Sequence, residues 1–131
     1  MIELKVFSKK RNEMIDITSN IEQIIQKEKI QNGLLTVFVP HTTAGVTINE
    51  GADPSVKRDI IYKLEQLIPE NEGYHHMEGN SDAHIKSSII GSSVNIIVED
   101  NHLVLGTWQH VFFYEGDGPR TRKVILYLSG K

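Results

Sequence analysis

The stretch "YHHMEGNSDAHIK", residues 74–86, holds three of the chain's six histidines together with Glu78 and Asp82. Neutral imidazole is a common ligand for zinc and related divalent ions. His76 and His84 are eight positions apart, one on a loop and one on the helix that follows, so both could turn toward one centre. His41, just after Pro40 at the end of an apolar strand, would complete a set of three imidazoles. Three protein ligands with open positions for water or substrate describe a catalytic or binding metal site, not a closed structural one. The spacing is not a recognised short zinc motif such as H-E-x-x-H. Exposed loop histidines are therefore the competing reading, and either His75 or His76 could be the loop ligand.

Other side chains could serve the same centre. Glu50 is a candidate metal-binding carboxylate or general base, with a solvated loop acid as the alternative. Asp53, directly before Pro54, is accounted for as a helix cap. Asp82 reads as a cap too, with a further use as an acceptor that orients an imidazole. Arg120 follows the "GDGP" turn, and a guanidinium there can hold phosphate oxygens in a bidentate grip. Trp108 reads as a core residue. Neither a Walker-type glycine loop nor G-x-G-x-x-G is present, which leaves a nucleotide-binding fold unsupported.

Composition narrows the partners. Fourteen Lys and Arg against seventeen Asp and Glu give a formal charge of -3, without the basic stripe that a phosphate-backbone binder displays. Nucleic acid is not an expected partner. The chain has no cysteine, so disulfides, thiolate nucleophiles and cysteine-based zinc sites are excluded, and a cytoplasmic location needs none of them. No apolar run approaches the roughly 18 residues required to span a bilayer, so no membrane role is expected.

The 131 residues suit one domain, 1–131, with one core. Alternation of Ile2, Leu4 and Val6, then "MIDIT", predicts an opening β-hairpin. A first helix capped by Thr18 or Ser19 carries Ile21, Ile24 and Ile25, and Gly33 closes its pattern. "LLTVFV", residues 34–39, is apolar on both faces, as for a strand covered twice. A second helix starts at Asp53-Pro54 and presents Val56, Ile60, Leu64 and Leu67. Residues 69–80 form an irregular loop, and a short helix capped by Ser81 or Asp82 runs to Gly91. "VNIIVED", "HLVLGTWQHVFFYE" and "RKVILYLSG" predict an antiparallel meander, with both faces of the Phe112–Phe113 strand covered. The fold class is α/β of the α+β kind: a β-sandwich-like arrangement of mixed or antiparallel sheets with about three helices, part of whose surface is closed by neighbouring subunits.

Three blocks, "HTTAGVTINEGADPSVKRD", "YHHMEGNSDAHIKSSIIG" and "LGTWQHVFFYEGDGPRTRKV", resemble the YjbQ-like family of small bacterial and archaeal proteins, the secondary thiamine-phosphate synthases. The resemblance runs from the first strand to the end of the chain. It implies a trimer with sites near subunit boundaries, and a metal site formed by His41, His76 and His84 with Glu50 nearby. His76 keeps the family's aromatic-x-His-x-Glu-Gly register. The implied activity joins a pyrimidine diphosphate to a thiazole phosphate. On this reading the protein is a metal-dependent enzyme for a small phosphorylated substrate, with Glu50 and Arg120 as catalytic residues. Zinc suits the imidazoles and Mg²⁺ suits a diphosphate. A non-catalytic metal or small-ligand binding trimer, or a metal-hydroxide hydrolase, is the alternative.

Overall fold

The computed structural model describes residues 1–130. Eight strands and three helices follow in the order β1 (Ile2–Phe7), β2 (Glu13–Asp16), α1 (Thr18–Lys27), β3 (Gly33–Phe38), β4 (Ala44–Glu50), α2 (Pro54–Leu67), α3 (Ser81–Ile90), β5 (Ser93–Glu99), β6 (His102–Leu103), β7 (Gln109–Glu115) and β8 (Thr121–Ser129). One sheet has the order β1-β8-β3-β5-β6 and the other β2-β7-β4. Every pairing is antiparallel, so the fold is a mixed α+β arrangement as expected. Among the described residues no helix is long and apolar enough to cross a membrane.

The main core lies between the two sheets. Leu35, Val37, Ile96, Val124 and Leu126 face it from the five-stranded sheet, and Val46, Val111 and Phe113 from the three-stranded one. Ile21 and Ile25 of α1, both fully buried, join the same core. Each such side chain contributes about 1.5–3 kcal/mol by leaving water. The opposite face of β7 carries Phe112 and Tyr114, which pack with Met14 against Ile60, Ile61 and Leu64 of α2. β7 is therefore covered twice, as its sequence requires.

The pairing differs from the sequence reading in three places. β1 and β2 do not form a hairpin: β1 pairs with β8 and β2 with β7. The charged segment between them carries the chain from one sheet to the other. The last strands are not a meander, because β7 leaves the sheet of β5 and β8 to become the centre of the smaller one. β3 buries Leu35 and Val37, but Leu34 and Phe38 stay 42% and 40% exposed on the outer face of the larger sheet. That face continues through Ile97 and Tyr127, both exposed.

Helix starts shift by a residue or two. Ile17 occupies the N-cap position of α1, and Asp16 accepts hydrogen bonds from the Thr18 N–H and hydroxyl. Asp53 caps α2 as expected, accepting from the Ser55 N–H at 2.9 Å. Asn80, not Ser81 or Asp82, precedes α3. Trp108 is 62% exposed and does not belong to the core. It precedes β7, beyond the point where double coverage begins.

Candidate functional site

The C-terminal turn of α3 is pressed onto β4 and the loop before it. The Gly91 carbonyl accepts from the Val46 N–H at 3.0 Å and the Ser92 carbonyl from the Val39 N–H at 2.7 Å. Gly45 permits the approach, since a Cβ there would lie 2.5 Å from the Gly91 oxygen. Gly91 itself has φ +99°, a conformation that side-chain-bearing residues rarely adopt. These contacts bring the His41-Thr42-Thr43 loop beside the end of α3.

A cavity of about 480 Å³ lies between them, lined by His41, Thr42, His84, Ser87, Ser88 and Ser92. A second cavity of about 460 Å³ is lined by Tyr74, His75, His76, His84 and Ile85. His84 belongs to both walls. The His76 and His84 rings meet edge to face with centroids 5.4 Å apart. The loop and helix histidines thus converge, and His41 shares the first cavity with His84.

Two buried ion pairs hold these walls. On α3, Asp82 is fully buried and receives both guanidinium nitrogens of Arg11, at 2.9 and 3.0 Å, and the Lys86 ammonium at 3.0 Å. Burial alone would raise the Asp82 pKa, but the bonds and charges of Arg11 and Lys86 outweigh it and hold the carboxyl below its usual range. Beside His41, the buried Arg122 guanidinium donates to Glu115 through Nε at 2.9 Å and to the Thr43 hydroxyl at 2.8 Å. Glu115 also accepts from Ser8 and from the Asp117 N–H. Burial again works against its charge, and Arg122 with these donors wins, keeping Glu115 ionised.

The His41 ring is fixed from β8. Its Nε2 accepts the Lys123 backbone N–H at 3.1 Å, so a neutral ring carries its proton on Nδ1. Burial lowers the pKa of His41, and the charge of Arg122 lowers it further. His41 is therefore a neutral hydrogen-bond donor through Nδ1, with its Nε2 lone pair already engaged. Among the described residues, no three or more His, Cys, Asp or Glu side chains are placed to hold one metal ion. The His76 and His84 rings are neighbours, while the His41 Nε2 is engaged by the Lys123 N–H.

The other expected residues lie elsewhere. Glu50 ends β4, six residues beyond Ala44 and roughly 20 Å from the His41 end of that strand at normal strand rise. Its carboxylate accepts the Asp53 N–H at 3.1 Å, supporting the start of α2. Arg120 lines neither cavity and bonds to the Asp117 carbonyl and carboxylate. Asp82 is a buried ion-pair partner, not a cap. Sequence reasoning missed Arg11, Lys86, Glu115 and Arg122. The Asp82 to Lys86 spacing of four on a helix was the available signal for one of these pairs.

Residues 2–131 match the family model described as UPF0047 protein YjbQ-like. The UPF0047 protein of Methanocaldococcus jannaschii is 51% identical over 130 residues, covering 99% of this chain and 94% of that protein. UPF0047 protein YugU of Bacillus subtilis is 48% identical over 128 residues, covering 97% of each. The crystal structure of an uncharacterized conserved protein of that family from Clostridium acetobutylicum superposes with a TM-score of 0.95 at 46% identity, covering 98% of this chain and all of that one. The three blocks that carry the histidines, the buried pairs and the two-sheet frame all fall within these matches, and the chain belongs to the YjbQ-like UPF0047 family.

Proposed function

We propose that this protein is a cytoplasmic, trimeric, metal-dependent enzyme that acts on a small phosphorylated substrate, with thiamine-phosphate formation as the nearest named reaction. The observation that carries this reading is the position of His84, which lines one cavity with His41 and the other with His76. Paired cavities of this size accommodate a ligand with two chemically different ends. Ion-paired side chains buried behind the walls keep the helix and loop rigid, as a preorganised site requires.

His76 and His84 would hold the divalent ion, zinc in preference to Mg²⁺ for imidazole donors. A bound ion of this kind supplies stabilisation of negative charge on a departing diphosphate. His41 donates a hydrogen bond from Nδ1 and orients the ligand without changing charge. The Thr42, Ser88 and Ser92 hydroxyls line the same wall and exclude bulk water when a ligand is seated. Glu50 and Arg120 would act only from a neighbouring copy, since Glu50 stands at the far end of β4. The bare Leu34, Phe38, Ile97 and Tyr127 face supports such a neighbour.

A binding trimer without turnover is favoured by one observation: among the described residues, no free carboxylate lines the His41 cavity as a general base. The test is incubation of a pyrimidine diphosphate and a thiazole phosphate with protein and Zn²⁺ or Mg²⁺, following product by mass spectrometry. Product with wild type and none with His84→Ala supports the enzyme. Metal uptake without consumption of either substrate supports the binding module.

A further inference from the structure

Away from the two cavities, the end of β2 and the start of α1 meet the start of β7 around one histidine. His110 Nδ1 donates to the Asp16 carboxylate at 2.6 Å. The other Asp16 oxygen accepts from the Thr18 N–H at 3.0 Å and from its hydroxyl at 2.7 Å. Thr18 is itself fixed, because its oxygen accepts the Val111 N–H at 2.8 Å. Burial works against the Asp16 charge, but the bonds from Thr18 and His110 outweigh it and keep the carboxyl below its usual range. The imidazole is thus turned by a carboxylate that Thr18 turns in its own right, and a neutral ring carries its proton on Nδ1.

The ring faces are held as well. Gly51 lies so close against His110 that a Cβ there would stand 2.1 Å from the ring Cγ, and the Gly51 N–H donates to the Trp108 carbonyl at 2.9 Å. The Phe112 ring stacks with the imidazole, centroids 6.4 Å apart and planes at 25°. Nε2 alone is left: among the described residues no hydrogen bond or ion pair reaches it, and the side chain is 36% exposed. Support for the start of α1 accounts for Asp16, but not for an imidazole held at one edge and on its faces with its basic nitrogen open. Asn49 of β4 stands directly across from His110, where paired side chains on one sheet face have Cβ atoms roughly 5 Å apart. Its Oδ1 accepts the Glu50 N–H at 2.7 Å, which leaves Nδ2 as its donor.

We propose that Asp16 and His110 form the base of a second site that hydrolyses small uncharged carboxylic esters, with Asn49 as the donor to the carbonyl oxygen. His110 Nε2 takes a proton from water as the water oxygen bonds to the carbonyl carbon, and the Asn49 amide donates to the carbonyl oxygen as negative charge forms on it. The bond to the alcohol oxygen then breaks and the proton passes from Nε2 to that oxygen. One ester and one water give one acid and one alcohol, with the imidazole restored. Asp16 is a positioning residue: it fixes the tautomer and stabilises the imidazolium formed midway. The open setting of Nε2 restricts the site to small substrates, and Trp108, 62% exposed and two residues before His110, offers an apolar surface to an aromatic ester. This activity stands apart from the phosphorylated-substrate reading and uses none of its histidines.

The test is hydrolysis of 4-nitrophenyl acetate by the full chain in EDTA, read by 4-nitrophenolate absorbance against free imidazole at the same histidine concentration. Wild type is expected to outpace the imidazole and to release many equivalents per chain. His110→Ala should lower the rate at least about tenfold, with added imidazole restoring part of it. Asp16→Asn, which keeps an oxygen for Thr18, should lower kcat with little change in KM. His102→Ala removes a histidine that is 67% exposed elsewhere on the surface and should leave the rate unchanged. Equal losses for His102→Ala and His110→Ala, a wild type no faster than imidazole, or release that stops at one equivalent per chain would overturn the proposal. The imidazole comparison and the turnover count on wild type decide this even if His110→Ala misfolds.

Discussion

The imidazole of His76 stands edge-on to that of His84, with centroids 5.4 Å apart and planes crossing at 86°. They are eight positions apart in sequence, and the loop before α3 folds back so that they share one cavity wall with His75. In the proposed enzyme these two imidazoles act together. Replacing either by alanine is expected to lower product formation at least about 100-fold, whereas His75→Ala should leave it within about twofold. Initial rates by mass spectrometry check this, and a large loss for His75→Ala with none for His76→Ala would exchange their roles.

Asp82 supports the site by a different route. Its carboxylate neutralises Lys86, which is 1% exposed, and takes the bidentate grip of Arg11. Asp82→Ala leaves a buried ammonium without its partner and should cost about 3–5 kcal/mol in chemical denaturation. Asp53→Ala, which removes an exposed cap, should cost clearly less. Equal costs would show that the Asp82 pair is not isolated from water.

Acid should unfold the protein through the same carboxylates. Asp82 and Glu115 both have folded pKa values below their ordinary ones, so the unfolded chain binds protons more readily. Stability from these groups is fully present above the ordinary carboxylate pKa of about 4 and is lost as pH falls through their lower folded values. Denaturation midpoints measured from pH 7 downward should be level at first and drop below about pH 4. Glu115→Gln should flatten part of that drop while lowering the stability at pH 7.

The outer face of the five-stranded sheet makes a separate prediction. Phe38 lies opposite Ile125 of β8, and Leu34 opposite Ile97 of β5, forming an apolar strip open to solvent in one chain. Phe38→Glu should convert a trimer to a monomer in light scattering after size exclusion. A wild type that is monomeric at all concentrations would remove the neighbour from the account.

Local signals made some parts of this fold legible. Asp53-Pro54 announces α2, Gly91 announces the end of α3, and the run Val111 to Tyr114 announces a strand covered on both faces. Strand partners were not legible, because β1 meets β8 across more than a hundred residues and no turn signal reports such a pairing. The same distance hid the Ser8–Glu115–Arg122 network: charged residues are mostly exposed, so a lone arginine in a strand reads as solvated until its partner is placed. The histidines were legible as a group because residue type alone suggested them. His41 was read as a third ligand because its bond from the Lys123 N–H depends on β8 lying alongside, which the sequence does not display.

Metal content per chain is the most direct measure of the central claim, taken by mass spectrometry on untagged protein after exposure to Zn²⁺. The histidine pair predicts about one ion per chain in wild type and none in His76→Ala, His84→Ala protein, with His41→Ala retaining its ion. Wild type and variant equally empty would contradict the metal-dependent mechanism and leave residues 74–86 as a loop and a helix.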